Sequence, residues 1–396
     1  MSPEELFIRA FFIFLYSVKE EQKYLRCAIS LAKKGLGWVN PNPLVGAVIV
    51  KNGHIIGEGY HEYFGGPHAE VNAIEHATES VKGATLYVTM EPCSHQGKTP
   101  PCTDPIIGKG IRKVVVGMKD PNPLVSGKGL KILADAGIEV KTGIEEAAVL
   151  KMNEQFVKYI VTGRPFCTLK TAMTLDGKIA TVENASKWIS GENSRKYVHE
   201  LRQQYSAVMV GINTVLYDDP LLNTRRIRKK SKDPLKVIVD SSGKIPLEAK
   251  VLRMNPQLVI VATTDKMEMT KKRDLERLGA QVIVCPQKDE KVDLGTLMFS
   301  LGKMGIDSVL LEGGSTIAFS ALMNGIVDKV VSFIAPKIIG GADAPSPVGG
   351  TGLSSMEDAI GVNDWNYRKI GSDILIEGYI RNKNFKSLPH RHNRSQ

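Results

Sequence analysis

His68, Glu70, Cys93 and Cys102 are the residues whose types and spacing could do chemistry. His68-Ala69-Glu70 follows Gly65-Gly66-Pro67 and opens a predicted helix. A strand-like run comes next, then Pro92-Cys93, with eight residues before Cys102. One imidazole and two thiolates are soft donors suited to zinc, and three ligands leave the fourth tetrahedral position open to water. That is the ligand number of a catalytic site, not of a closed structural one. Water on such a metal ionises near neutral pH and becomes a nucleophile. Glu70 stands two positions from His68 and can reach that water without ligating the metal, which suits a base that later protonates a leaving amine. Two other readings of the cysteines stay open, buried structural thiols and a reducible disulfide, and the order His, Glu, Pro, Cys, Cys weighs against both.

That order also matches the H-x-E…P-C-x-x-C signature of zinc nucleobase deaminases, with one departure: the cysteines are eight residues apart instead of two. The elements that must position these groups alternate between helix and strand. Tyr24 to Lys34 carries Leu25, Ala28, Ile29 and Ala32 at helical spacing and stops at Gly35. VGAVIV, Asn52-Gly53 and HIIGEG read as a tight hairpin. Strands are expected at TLYVTM (85–90) and KVVVGM (113–118), and helices after His68, Cys102 and Gly127.

Thr162-Gly163-Arg164-Pro165 separates this part from a second α/β part, with strands expected at FCTLK, SAVMVG, LKVIVD, QLVIVAT, AQVIVC, DSVLLEGG and KVVSFIAP. LLEGGSTIAFSAL (310–322) reads as strand, glycine turn and helix, which exposes backbone N–H groups at a helix N-terminus and offers a phosphate site. No G-x-G-x-x-G occurs in this half, so a Rossmann dinucleotide domain is not supported.

The length of 396 residues allows two or three domains. Five scattered cysteines make no secreted disulfide framework. No apolar run approaches the ~20 residues of a membrane helix, and FFIFLY (11–16) follows Glu4 and Glu5 without a cleavage site, so we expect a cytoplasmic protein without a signal peptide. The net charge of +10 suits an anionic ligand, but the basic residues are spread along the chain and form no nucleic-acid stripe. Residues 1–19 are set apart as an N-terminal extension. The basic tail 383–396, with His390 and His392, reads as frayed.

HAE (68–70), EPCSHQGKTPPC (91–102), NPLVGAVIV (42–50) and DPNPLV (120–125) together resemble the deaminase domain of the bifunctional riboflavin-biosynthesis deaminase–reductases, a family with the same gap between its cysteines. LKTAMTLDGKIA, SKWIS, VGINTVLYDDPLLNTR, VIVDSS, EGGSTIAFS and IAPKIIGG resemble the same family's reductase domain. The resemblance runs from about Arg26 to Ile380. It implies a cytidine-deaminase-like three-layer α/β domain over 20–162, then a dihydrofolate-reductase-like domain over 163–382.

For the first domain, the resemblance implies one Zn2+ on His68, Cys93 and Cys102, with Glu70 as proton shuttle. The insert becomes a substrate-binding loop carrying His95 and Lys98. Asn42 would hold the pyrimidine through its amide, and a turn role before Pro43 is an equal alternative. For the second domain, Ala172, Trp188, Thr214, Asp218, Ser241 and the stretch Gly314, Ser315, Thr316, Ile317, Ala318, Phe319 and Ser320 fall at NADPH positions. Ser186, Arg202, Leu222, Arg225 and Glu312 fall at substrate positions. Trp188 could instead be a core residue, and RRIRKKSK (225–232) beyond its first arginine a solvated loop. Lys170 and Asp176 flank the cofactor strand without an assigned role.

The implied reactions are deamination of 2,5-diamino-6-ribosylamino-4(3H)-pyrimidinone 5′-phosphate, then NADPH-dependent reduction of the product's ribosyl chain to ribityl. The implied partners are phosphorylated pyrimidines, with no nucleic acid and no membrane, and the expected assembly is a homo-oligomer. A zinc deaminase of nucleic acid or free nucleobase, with a nucleotide-binding regulatory domain, is the rival. It needs no reductase half, and this chain lacks the features of single-strand binding. A catalytically dead regulatory protein would have lost a ligand or Glu70, and all are present.

Overall fold

Asn52 and Gly53 take left-handed φ values of 52° and 78°, the geometry of a two-residue hairpin turn. They join β1 (Gly46–Lys51) to β2 (His54–Tyr60). The computed structural model describes residues 3–96, 100–225 and 231–380, with backbone alone for 3–17. Lys98, most of the 225–232 run and the tail with His390 and His392 therefore lie outside the described residues. The chain divides into two units, 1–162 and 163–396.

In the first unit the order is α1 (Pro3–Ala32), β1, β2, α2 (Ala69–Glu75), β3 (Thr85–Met90), α3 (Thr103–Gly108), β4 (Lys113–Met118), α4 (Lys128–Asp135), β5 (Glu139–Thr142), α5 (Glu146–Met152) and α6 (Glu154–Thr162). Residues 3–19, set apart in the sequence, continue the same helix as 24–32. The sheet order is β2-β1-β3-β4-β5, antiparallel to β3 and parallel beyond it. Strand alternation divides the side chains into two layers. Ala47, Ile49, Leu86, Val88, Val114 and Val116 pack with residues of α2, α3 and α4. Val48, Val50, Tyr87 and Val115 pack with Tyr24, Leu25, Ala28 and Leu31 of α1. The result is a three-layer α/β unit.

The second unit runs β6 (Phe166–Thr174), α7 (Glu192–Gln204), β7 (Ala207–Gly211), α8 (Ile212–Asp218), β8 (Leu235–Val239), α9 (Lys250–Met254), β9 (Val259–Thr263), α10 (Met269–Leu278), β10 (Gln281–Val284), β11 (Gln287–Lys288), β12 (Lys291–Val292), α11 (Leu294–Lys303), β13 (Ser308–Glu312), α12 (Ser315–Met323), β14 (Lys329–Ala335), β15 (Val362–Ile370) and β16 (Asp373–Ile380). Its main sheet has the order β10-β9-β8-β7-β13-β6-β14-β16-β15, parallel except where β16 and β15 join. One face packs on α11 and α12, the other on α7 to α10. Most apolar runs expected as strands become buried parallel strands, whereas AQVIVC forms the half-exposed edge strand β10; β15, exposed along almost its whole length, carries no such signal. No helix of the described residues is long and apolar enough to cross a membrane.

Candidate active sites

In the first unit, His68 is the N-cap residue of α2, Cys93 follows β3, and Cys102 is the N-cap residue of α3. Two helix starts and one strand end thus converge. The His68 Nδ1 lies 3.1 Å from the Cys102 sulfur and 3.4 Å from the Cys93 sulfur, and all three ligand atoms lie within 4.8 Å of one another. Bonds of about 2.0–2.3 Å to a tetrahedral zinc would place donors roughly 3.3–3.8 Å apart. The donor set therefore fits zinc in type and spacing. All five cysteines are free, which sets the disulfide reading aside.

Without a metal the sulfurs share their protons unequally. Hydrogen bonding from the Cys102 thiol, then from His68, draws the Cys93 pKa down to about 4 against the cost of burial. The same interaction and burial push Cys102 up. A metal would require both as thiolates. Glu70 is 3% exposed, and burial raises its pKa to about 7, which His68 opposes. A carboxyl poised near neutrality can both take and give a proton.

Asn42 is a turn residue, its N–H donating to the Val39 carbonyl at 2.8 Å, and its side chain is also fixed. Its Nδ2 lies 3.1 Å from Nε2 of buried His61, whose Nδ1 is 3.0 Å from the Pro67 carbonyl. A carbonyl only accepts, so Nδ1 carries the proton and Nε2 accepts from the amide, which leaves the Asn42 Oδ1 outside this bond. His61 packs edge-on against His68, centroids 5.4 Å apart. Asn42 is therefore a turn residue whose side-chain amide is oriented by His61. His95 is exposed on the insert.

Sequence reasoning missed Glu91. Its buried carboxylate accepts four backbone N–H bonds, from Asp120 (3.1 Å), Gly127 (2.9 Å), Gly129 (3.0 Å) and Leu130 (3.4 Å). It ties the segment before Cys93 to the 120–130 loop. Burial, opposed by the loop's own hydrogen bond and assisted by Glu91, raises the Asp120 pKa; His95 and Cys93 also act on it. The signal for Glu91 was its place directly before Pro92-Cys93.

In the second unit a cleft of about 540 Å3 opens at the carboxyl ends of β7, β8 and β13. Ser186, Thr214, Asp218, Ser241, Gly314, Ser315, Thr316, Ile317 and Ser320, all expected from sequence, line it. Gly313 and Gly314 have φ of 78° and 82°, and a Cβ on Gly314 would meet Ile317 at 3.2 Å. The chain therefore turns sharply into α12, whose first N–H groups have no helical partner. The seven-residue reading needs narrowing. The Ala318 N–H already donates to the Gly314 carbonyl at 3.0 Å, the Ala318 side chain is in the core, and Phe319 packs at Gly350. Only the start of the stretch can offer N–H groups.

Ala172, Trp188, Arg202, Leu222, Arg225 and Glu312 do not line this cleft. Trp188 is 62% exposed with the Arg195 guanidinium 4.8 Å from its ring centroid, so it is not a core tryptophan. Ser186 donates to Asp218 at 3.0 Å, which joins a residue expected at the substrate to one expected at the cofactor. Leu222 is buried at a left-handed φ of 50°, a strained state for a branched residue. Arg225 is exposed and donates to the Asn223 side chain at 2.9 Å.

Arg202 is engaged with Glu312 (2.6 and 2.9 Å) and the Asn223 carbonyl (3.0 Å), while Lys170 lies 3.9 Å from the same carboxylate. These bonds use three of the five guanidinium N–H groups. Asp176 takes Thr174 Oγ1 at 2.5 Å and the Gly340 N–H at 2.7 Å, so it braces the loop after β14.

Residues 165–376 match the RibD C-terminal domain model, and residues 18–118 match the cytidine and deoxycytidylate deaminase zinc-binding region. The chain is 48% identical to the riboflavin biosynthesis protein RibD of Actinobacillus pleuropneumoniae, over 89% of this chain and 94% of that protein. It is 46% identical to the RibD of Aquifex aeolicus, over 90% and 97%. Among solved structures, Acinetobacter baumannii RibD superposes with a TM-score of 0.84 at 38% identity, covering 92% of this chain and 100% of that one. A diaminohydroxyphosphoribosylaminopyrimidine deaminase/5-amino-6-(5-phosphoribosylamino)uracil reductase from Thermotoga maritima does so at 0.78 and 42% identity, with the same coverage.

Proposed function

The chain belongs to the RibD family of bifunctional riboflavin-biosynthesis deaminase–reductases, and on that premise we propose which residues carry each half-reaction and on what substrates. Residues 20–162 deaminate 2,5-diamino-6-ribosylamino-4(3H)-pyrimidinone 5′-phosphate. Residues 163–382 then reduce 5-amino-6-(5-phosphoribosylamino)uracil to its ribityl counterpart. The observation that carries the reading is the convergence of His68, Cys93 and Cys102 beside a buried carboxyl.

His68, Cys93 and Cys102 would hold one zinc ion, which supplies an ionised water at neutral pH. Glu70 takes the proton from the attacking water and passes it to the leaving amine, so ammonia departs neutral. Asn42, its amide fixed by His61, accepts a hydrogen bond from the pyrimidine through Oδ1. His95 and Lys98 meet the polar, phosphorylated part of the substrate.

In the second unit NADPH supplies the hydride. The turn at Gly314 and the first N–H groups of α12 hold its pyrophosphate. Lys170 in the middle of β6, Arg202 in the last turn of α7 and Glu312 at the end of β13 form the polar floor on the substrate side. Free thiols support a cytoplasmic enzyme, and edge strand β15, with Trp365 and Tyr367 exposed, supports a homo-oligomer. The substrates are small molecules, not nucleic acid.

The test is to supply the diaminopyrimidine ribotide to purified protein with and without NADPH. Without NADPH the deaminated ribosyl product should accumulate; with it, the ribityl product. Ribityl formation without prior loss of ammonia would reverse the assignment.

A further inference from the structure

The order of strands along the carboxyl edge of the second unit gives the cleft a direction. The turn at Gly314 follows β13. On one side of β13 lies β6, with Lys170 and the Glu312–Arg202 pair. On the other lie β7 and then β8, whose end carries Asp240, Ser241, Ser242 and Lys244, all lining the cleft. A dinucleotide with its pyrophosphate at Gly314 and its redox ring toward β6 must send its adenosine toward β8. Two strand spacings, about 9–10 Å, separate β13 from β8, a span that one ribose and its phosphate can bridge.

That end of the cleft has two cationic side chains. Lys244 lies in the turn after β8, and Lys291 begins β12. Both are exposed, and both line the cleft. The Val292 N–H donates to Ser241 Oγ at 3.1 Å, and Thr264 Oγ1 donates to the Ser241 carbonyl at 2.7 Å. Those bonds anchor the Lys291 strand to the Ser241 side chain and the β9 turn to its backbone. The nearby acid Glu290 faces Lys266, at 3.9 Å.

Asp240 supplies an independent observation at the same place. It is fully buried, its Oδ2 accepts the Ile245 N–H at 2.8 Å, and its Oδ1 has no hydrogen-bond partner among the described residues. A buried acceptor left open beside a cleft costs free energy until a donor arrives. A ribose hydroxyl is such a donor. A phosphate placed against Asp240 would be repelled, so a phosphorylated ribose must turn its phosphate outward, toward the rim where the lysines stand.

We propose that Lys244 and Lys291 read the 2′-phosphate of the cofactor's adenosine and so set its preference for NADPH over NADH, while Asp240 Oδ1 accepts from the neighbouring ribose hydroxyl. The proposal rests on the nucleotide reading of this cleft and adds the groups that choose between the two nucleotides.

The experiment titrates the full chain with 2′,5′-ADP, 5′-AMP, NADPH and NADH by calorimetry, for wild type, Lys244→Gln, Lys291→Gln and the double variant. Each single change should weaken 2′,5′-ADP and NADPH about tenfold, the size of one charge-assisted contact. The ratio of NADH to NADPH dissociation constants should fall by the same factor and approach one in the double variant. A wild type that prefers NADPH, with variants that keep the full preference, overturns the lysine assignment alone. Equal weakening of 5′-AMP and 2′,5′-ADP also overturns it, since the lysines would then serve another part of the nucleotide. A wild type that binds NADH as tightly as NADPH removes the NADPH reading itself.

Discussion

Arg202 holds Glu312 in a two-point ion pair, Nε to Oε1 at 2.6 Å and Nη2 to Oε2 at 2.9 Å, with both side chains nearly inaccessible to water. The arginine therefore has a structural partner before any substrate arrives. Removing one member of a buried pair strands the other charge, at a cost of about 3–5 kcal/mol. Arg202→Ala should lower the reductase unit's unfolding midpoint sharply, and Arg202→Ala with Glu312→Ala should recover part of the loss. Calorimetric scans of the four proteins of this cycle check it. Additive losses would mean that the pair is not coupled.

The same pair sets an acid limit. Burial alone would raise the Glu312 pKa, but Arg202, and then Lys170, outweigh it and hold the carboxyl below its ordinary 4.5. A depressed carboxyl pKa contributes stability that is present above the unfolded value and lost as pH falls through the folded one. Urea midpoints of the reductase unit should therefore fall on acidification below about pH 4.5. Arg202→Ala should show a flatter fall. Parallel curves for wild type and variant would locate the acid sensitivity elsewhere.

Gly314 combines a φ of 82° with a Cβ position 3.2 Å from Ile317. Gly314→Val should strain the turn and displace the first N–H groups of α12, so NADPH binding should weaken by at least tenfold. Deamination, in the other unit, should continue at its wild-type rate. Fluorescence titration with NADPH beside an ammonia-release assay reads both. Unchanged NADPH affinity would remove this helix start from the cofactor site.

The strands marked most strongly in the sequence were those buried on both faces, such as LKVIVD and DSVLLEGG, where an apolar run between turn residues has one stable place; HIIGEG was legible instead from its hairpin turn. β15 was not legible because it is exposed on both faces, so no periodicity marks it. The metal site was legible because zinc demands donor types that few other roles demand, in a fixed order along the chain. Glu91 was not, because a carboxylate that accepts backbone N–H groups has no side-chain partner to betray it. The Arg202–Glu312 pair escaped for another reason. Its members are 110 positions apart, and only the packing of α7 beside β13 brings them together.

Cys102 and Glu70 should separate metal binding from proton transfer. Cys102→Ser removes one of three protein ligands and should lose both zinc and deamination, while the reductase still turns over its own substrate. Glu70→Gln keeps the ligands and should keep zinc, yet deaminate about two to four orders of magnitude more slowly, the usual worth of general acid–base catalysis. Elemental analysis beside ammonia release distinguishes the two. Full zinc in the serine variant would remove Cys102 from the ligand set; normal deamination in the glutamine variant would remove Glu70 from proton transfer.

Glu91 should behave as a positioning residue of the deaminase site. Each of its oxygens accepts two backbone N–H groups, and together they bind the 120–130 loop to the strand end that leads into Cys93. In Glu91→Gln one oxygen becomes an NH2 group facing two N–H donors, which leaves buried donors unpaired at roughly 1–3 kcal/mol each. Gly129 already abuts the Pro92 carbonyl, where a Cβ would lie 2.1 Å away, so the loop cannot relax by moving closer. The loop should therefore shift away from the site as a unit and take Asp120 with it. The expected result is retained zinc, a lower unfolding midpoint for the deaminase unit and a raised KM for deamination with a smaller change in kcat. Glu91→Asp, which keeps the charge on a shorter stem, should recover part of the KM. A Glu91→Gln enzyme that loses stability but keeps its KM would mean that the carboxylate serves the fold alone.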